Sequence, residues 1–142
     1  MTFRRQIAMG LIVLAGTASV HIAVILAGVG ALQSLSPATA HWSPLATWLA
    51  MMSTGFGTVL LGHALQILLW ASALKLTDAL HTLEEAMYFA LVTTTTLGYG
   101  DVTLTKHSRM FGAISAVSGL LTFGFSTAFL IGVLSAVMAR TA

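Results

Sequence analysis

The chain has 142 residues, 57% of them hydrophobic and 7% charged, with a formal net charge of +2. Soluble domains carry about 25% charged residues, so lipid is the simplest solvent for this composition. A charge this small gives no reason to expect nucleic acid as a partner. With no cysteine, disulfides and cysteine-ligated metals are excluded.

A helix that crosses about 30 Å of hydrocarbon needs about 20 apolar residues. Residues 6–33, free of Asp, Glu, Lys and Arg, are the first run that qualifies. Arg4 and Arg5 before it and Ala38-Thr39-Ala40 after it have the form of a secretory signal with its cleavage site. Signal cores are about 7–15 residues and this run is much longer, so it reads as a retained helix, with a cleaved signal as the alternative. Ala15, Ser19, Ala23 and Ala27 recur every fourth position, and a stripe of that kind predicts close packing of this helix against the rest of the chain.

Pro37 and Pro44 bracket a polar loop, SLSPATAHWSP, before a second uncharged run at 45–74. KLTDALHTLEE follows and holds most of the acidic residues. Within it, Thr82 and Glu85 have the spacing of a capping box, predicting a helix from Leu83 to about Thr94. That helix is too short to span a bilayer. A short helix running into irregular backbone is a re-entrant segment, tolerated at membrane depth only where it is buried in protein or lines a watery cavity.

The irregular backbone is TTTTLGYGD, residues 93–101. Gly98 and Gly100 adopt positive φ at little cost. Left- and right-handed residues in alternation turn successive carbonyls to one side, and several chains around an axis would stack those oxygens into rings able to replace a cation's hydration shell. A third uncharged run fills 110–139, with small residues at Gly112, Ala116, Gly124, Ala128, Gly132 and Ala136 and Leu120 breaking the row.

TTTTLGYGD resembles the selectivity filter of potassium channels, usually TVGYGD, with Leu97 in place of the common Val. The order of segments over roughly 45–139 also resembles the potassium-channel pore module, while residues 1–44 lie outside the resemblance. The expected fold is an all-α membrane protein. It has three transmembrane helices plus a re-entrant pore helix and selectivity-filter loop, assembled as a tetramer around a central pore. The expected domains are an additional N-terminal helix and loop at 1–44 and a pore domain at 45–142. In the latter the outer helix is 45–74, the pore helix 83–94, the filter 96–101 and the inner helix 110–139.

The resemblance implies that carbonyls of Thr96, Leu97, Gly98 and Tyr99, with the Thr96 hydroxyl, coordinate dehydrated K+, with Gly100 completing the ion-binding row. It implies that Tyr99 points away from the axis toward pore-helix aromatics, with Tyr88 and Phe89 as partners. It also implies a homotetramer in a lipid bilayer, with K+ in the filter and no other cofactor. Asp101, Tyr88, Val92 and Thr95 are the expected filter supports. Many members carry a pore-helix glutamate where this chain has Val92, so Asp101 needs another partner. Tyr88, one turn earlier, could supply its hydroxyl; the alternative is a solvated Asp101 that only attracts cations. Thr103 stands where strongly blocked members have an aromatic residue, predicting weak block by quaternary ammonium ions.

Voltage sensing needs intramembrane Arg or Lys, and the first two runs have none. A passive pore follows, gated at the filter or by pH. Gly119 and Gly124 are candidate hinges beside the packing explanation of the stripe, and His107 is the candidate pH sensor. Mid-span His21 and His63 are expected to be neutral histidines bonded to helix carbonyls. Three spans put Arg4, Arg5, Lys75, Lys106 and Arg109 on the filter side and Arg140 alone on the other. The positive-inside rule then places the filter mouth in the cytoplasm, whereas the resemblance implies an outward mouth. The expected location is the plasma (inner) membrane. No carboxylate pair, nucleophile–base pair or metal cluster in the spans suggests an enzyme. The competing functions are a non-selective cation channel and a non-conducting membrane scaffold or subunit.

Overall fold

A computed structural model describes residues 1–141, with the backbone alone for 140 and 141. The Arg140 side chain, the one charge counted for the far side, therefore lies outside the described residues. The chain forms α1 (Phe3–Ala38), α2 (Pro44–Leu76), α3 (Leu83–Thr94) and α4 (Arg109–Thr141), with no strand among the described residues. α1, α2 and α4 are long and apolar enough to cross a membrane. The 36 residues of α1 amount to about 54 Å of helix, more than the hydrocarbon thickness, so it must tilt or emerge among the headgroups.

Local chemistry sets the helix ends. Ser43 caps α2, its hydroxyl accepting from the Ala46 amide at 3.3 Å, and Pro44 occupies the first helical position, where its missing N–H costs nothing. The expected proline-bracketed loop is shorter than its sequence suggests, because α1 runs through Pro37 to Ala38 and only 39–43 connect the two helices. α2 ends in a Schellman motif built on an aspartate. Asp78 takes φ 55°, its amide bonds Lys75 O at 3.0 Å, and the Ala79 amide bonds Leu74 O at 2.9 Å. This reversal turns the chain back so that α3 packs on α2. Thr82 then caps α3 through its hydroxyl, which accepts from the Glu85 amide at 3.1 Å.

α1 runs parallel to α4 and antiparallel to α2. Gly10 is pressed on Ile114 of α4 and Gly28 on Thr58 of α2, and a Cβ at Gly55 would touch Leu130 and Val133 at 3.4–3.5 Å. Two apolar clusters hold the ends. One centres on Trp70, Leu74 and Phe111 beside α3, the other on Leu32, Met51, Val133 and Val137 at the opposite end.

Between them lies a polar layer that joins all three long helices. The Thr17 and Ser118 hydroxyls are 3.1 Å apart. Gln66 donates to Ser118 Oγ at 3.0 Å and accepts from Thr122 at 2.7 Å. Nε2 of His21 and of His63 lie 2.9 and 3.3 Å from the one Ser126 hydroxyl. Lipid tails are as apolar as leucine, so apolar contact alone does not favour one helix pairing over another, and small residues with interhelical hydrogen bonds do.

Two sequence expectations are corrected here. α1 does pack on the rest of the chain, but its buried face is Gln6, Gly10, Thr17, His21, Ile25, Gly28 and Leu32, while Ala15, Ser19, Ala23 and Ala27 are exposed. His63 bonds the hydroxyl of Ser126 instead of a helix carbonyl, whereas His21 bonds Ser126 through Nε2 and turns Nδ1 toward the backbone of Gly62. In α4 the buried row includes Phe111, Ser115, Ser118, Thr122, Ser126, Val133 and Val137, and the small residues Gly124, Ala128, Gly132 and Ala136 face outward from this single chain.

Candidate functional site

α3 has 12 residues, about 18 Å of helix, so it enters the bundle without crossing it. At its end the threonine hydroxyls fold back on the helix, Thr94 Oγ1 to Ala90 O and Thr95 Oγ1 to Leu91 O, each at 2.7 Å. The main chain then curls over the terminus, the Thr96 amide bonding Thr93 O at 3.1 Å and the Gly98 amide bonding Val92 O at 3.2 Å. Beyond this point the backbone alternates. Thr96, Gly98 and Gly100 have φ of 63°, 56° and 79°. Gly98 and Gly100 take the left-handed region freely. Thr96 does not, since a β-branched residue with positive φ is a genuine outlier, and such strain costs on the order of 1–3 kcal/mol. The glycines announced their half of this pattern in the sequence; nothing in Thr96 did.

The helix end is seated on α4 at Gly119. A Cβ there would run into the Thr94 carbonyl, which is backbone and cannot swing away. Gly119 thus has a packing role whatever else it does, while Gly124 has nothing within 4 Å of where a Cβ would stand. Residues 96–100 are exposed, and the Tyr99 ring is 68% exposed. Within one chain, therefore, Tyr99 is not buried against Tyr88 or Phe89.

Behind the loop is a cavity of about 500 Å³ lined by Tyr88, Phe89, Gly98, Asp101, Thr103 and Arg109, among others. On its wall the Tyr88 hydroxyl donates to Asp101 Oδ2 at 2.6 Å. This bond holds the Asp101 carboxyl below its ordinary value of 3.8 and raises the Tyr88 phenol above 10.0. Val92 is buried, Thr95 half-buried and His107 exposed.

Outside the motif, the site reaches into α1. Gln6 is 4% exposed, and its Oε1 accepts from the Met110 amide in the first turn of α4 at 3.0 Å. A glutamine at the head of an apolar run was the only sequence signal for it.

A family model described as ion channel (Ion_trans_2) matches residues 57–136. The chain belongs to this ion channel family. No curated protein and no solved structure matches it. The matched part of the channel runs from the middle of α2 through α3 and the TTTTLGYGD loop into α4, and α1 lies outside it.

Proposed function

We propose that the channel is potassium-selective and conducts passively, as a homotetramer in which four TTTTLGYGD loops surround one axis. The observation that carries this reading is the alternation of positive φ at Thr96, Gly98 and Gly100. In that backbone the carbonyls of Thr96, Leu97, Gly98 and Tyr99 can turn to one side, and four copies would supply the oxygen rings that replace water around a dehydrated K+. The exposure of residues 96–100 and of Gly124, Ala128, Gly132 and Ala136 on the outward side of α4 supports the assembly, because these surfaces stand uncovered in the single chain. The C-terminal end of α3 would point its partial negative charge toward the axis, favouring a cation there.

Reconstituted protein should pass K+ into liposomes, with a reversal potential in mixed K+ and Na+ that follows K+. Gly98→Ala, which strains a φ of 56°, should abolish the flux. Equal K+ and Na+ permeability would favour a non-selective cation channel, and no flux from assembled protein would favour a scaffold or subunit.

A second reading concerns orientation. Gln6 meets Met110, so the N-terminus shares the membrane side of the loop's mouth, together with Lys75, Lys106 and Arg109. The positive-inside rule puts that side in the cytoplasm, making the pore inverted. Reporters fused at residues 1 and 142 test this, and a cytoplasmic reporter at 142 would overturn it.

A further inference from the structure

We propose that Gln6 of α1 is a positioning residue for the filter, clamping the segment between the filter and α4 from outside the matched pore region. The first amides of any helix lack intrahelical acceptors. At α4 the Arg109 amide is taken by Thr105 O at 2.9 Å, within the preceding turn. The Met110 amide is taken by Gln6 Oε1, from a residue 104 positions away. The same side chain turns its Nε2 toward Lys106 O at 3.4 Å. One buried amide thus spans both sides of the junction where the post-filter segment becomes the helix.

Residues 101–110 are therefore held at two ends by two different helices. Tyr88 of α3 grips Asp101, and Gln6 of α1 grips Lys106 and Met110. Among the described residues the backbones of α1 and α3 do not approach each other, so α1 acts on the filter indirectly, through this junction and through its packing on α4 and α2. Further down, Gly10 on Ile114 and Thr17 on Ser118 hold α1 to α4 independently. Loss of the Gln6 bond should accordingly release the junction while leaving α1 docked.

The test uses the full chain reconstituted as its assembly, and it rests on the potassium reading only in its second arm. The first arm is amide hydrogen exchange at Met110. Gln6→Leu, which keeps the bulk and removes both polar atoms, should speed exchange there by about fivefold to tenfold, the worth of one hydrogen bond. Gln6→Glu, which keeps an acceptor, should retain protection, and Thr17→Val, which loosens α1 at mid-depth, should leave Met110 protected. The second arm is the K+/Na+ permeability ratio, which should fall in Gln6→Leu and recover in Gln6→Glu.

Unchanged Met110 exchange in Gln6→Leu overturns the clamp. So does equal acceleration in Thr17→Val, which would make Gln6 only one of several anchors for α1. Faster exchange with an unchanged permeability ratio overturns the positioning role. If Gln6→Leu does not assemble, unprotected Met110 in the wild type or in Gln6→Glu overturns the clamp in its place. Wild-type protein that passes no K+ defeats the potassium reading, while the exchange arm still decides whether the bond exists.

Discussion

The Tyr88 hydroxyl lies 2.6 Å from the Asp101 carboxylate, tying the C-terminal end of the TTTTLGYGD loop to the helix that leads into it. Tyr88 thus supplies Asp101 with a partner that the apolar Val92 side chain cannot. Tyr88→Phe should leave assembly intact and hasten the decay of K+ current several-fold. Macroscopic currents from reconstituted protein read this directly, and unchanged decay would make Asp101 a solvated charge only.

The same bond fixes a pH window. The Asp101 carboxyl is depressed below 3.8, so its stabilisation is present above the ordinary carboxylate range and is lost as pH falls through the lower, folded value. The Tyr88 phenol is raised above 10.0, so its contribution is present below that value and is lost as pH rises past the folded one. Stability of the loop due to this pair should therefore be flat from about pH 5 to 9, between the two ordinary values. A steep change inside that window that persists in Tyr88→Phe would show that a group other than this pair controls the loop.

Gly119→Ala should be the most damaging small substitution in α4. The added methyl meets the Thr94 carbonyl, and overpacking of this kind costs about 1–3 kcal/mol. The end of α3 and the base of the TTTTLGYGD loop must shift, so the K+ flux of the proposed pore should fall far more than in Gly124→Ala, where space is open. Paired flux measurements check this, and equal effects would favour a hinge over a seat.

In the polar layer, Gln66 serves two partners at once, Ser118 and Thr122. Gln66→Leu should lower the thermal stability of the detergent-solubilised protein by about 1–2 kcal/mol, two interhelical bonds at the modest worth measured in membranes. Thr17→Val, which removes one bond at the edge of the layer, should cost about half as much, or about 0.6 kcal/mol. Melting curves for the two variants and their combination give the coupling.

Thr103 is exposed beside the loop. Block by tetraethylammonium from the mouth side should be weak, in the millimolar range, and Thr103→Tyr should tighten it about tenfold or more if four rings gain cation–π contact. Nanomolar or low-micromolar block of the wild type would contradict the expectation.

Much of the architecture was legible because its signals are local. Uncharged runs longer than about 20 residues announce α1, α2 and α4. Thr82 with Glu85 announces α3, and Gly98 and Gly100 announce two of the three left-handed residues of the loop. The third, Thr96, was hidden because its propensity argues against the conformation that the surrounding chain imposes.

The sequence by itself determined that this chain lives in lipid, how many long helices it forms, and where its backbone becomes irregular. Tertiary structure alone decided which faces meet. In a bilayer an outward leucine and an inward one meet equally apolar surroundings, so hydrophobic periodicity does not mark the buried side. The stripe at Ala15, Ser19, Ala23 and Ala27 consequently pointed the wrong way. The contacts that turn α1 inward are hydrogen bonds between residues 101 to 105 positions apart, Thr17 with Ser118, Gln6 with Met110 and His21 with Ser126. Such partners are set by three-dimensional proximity, and no local pattern records it.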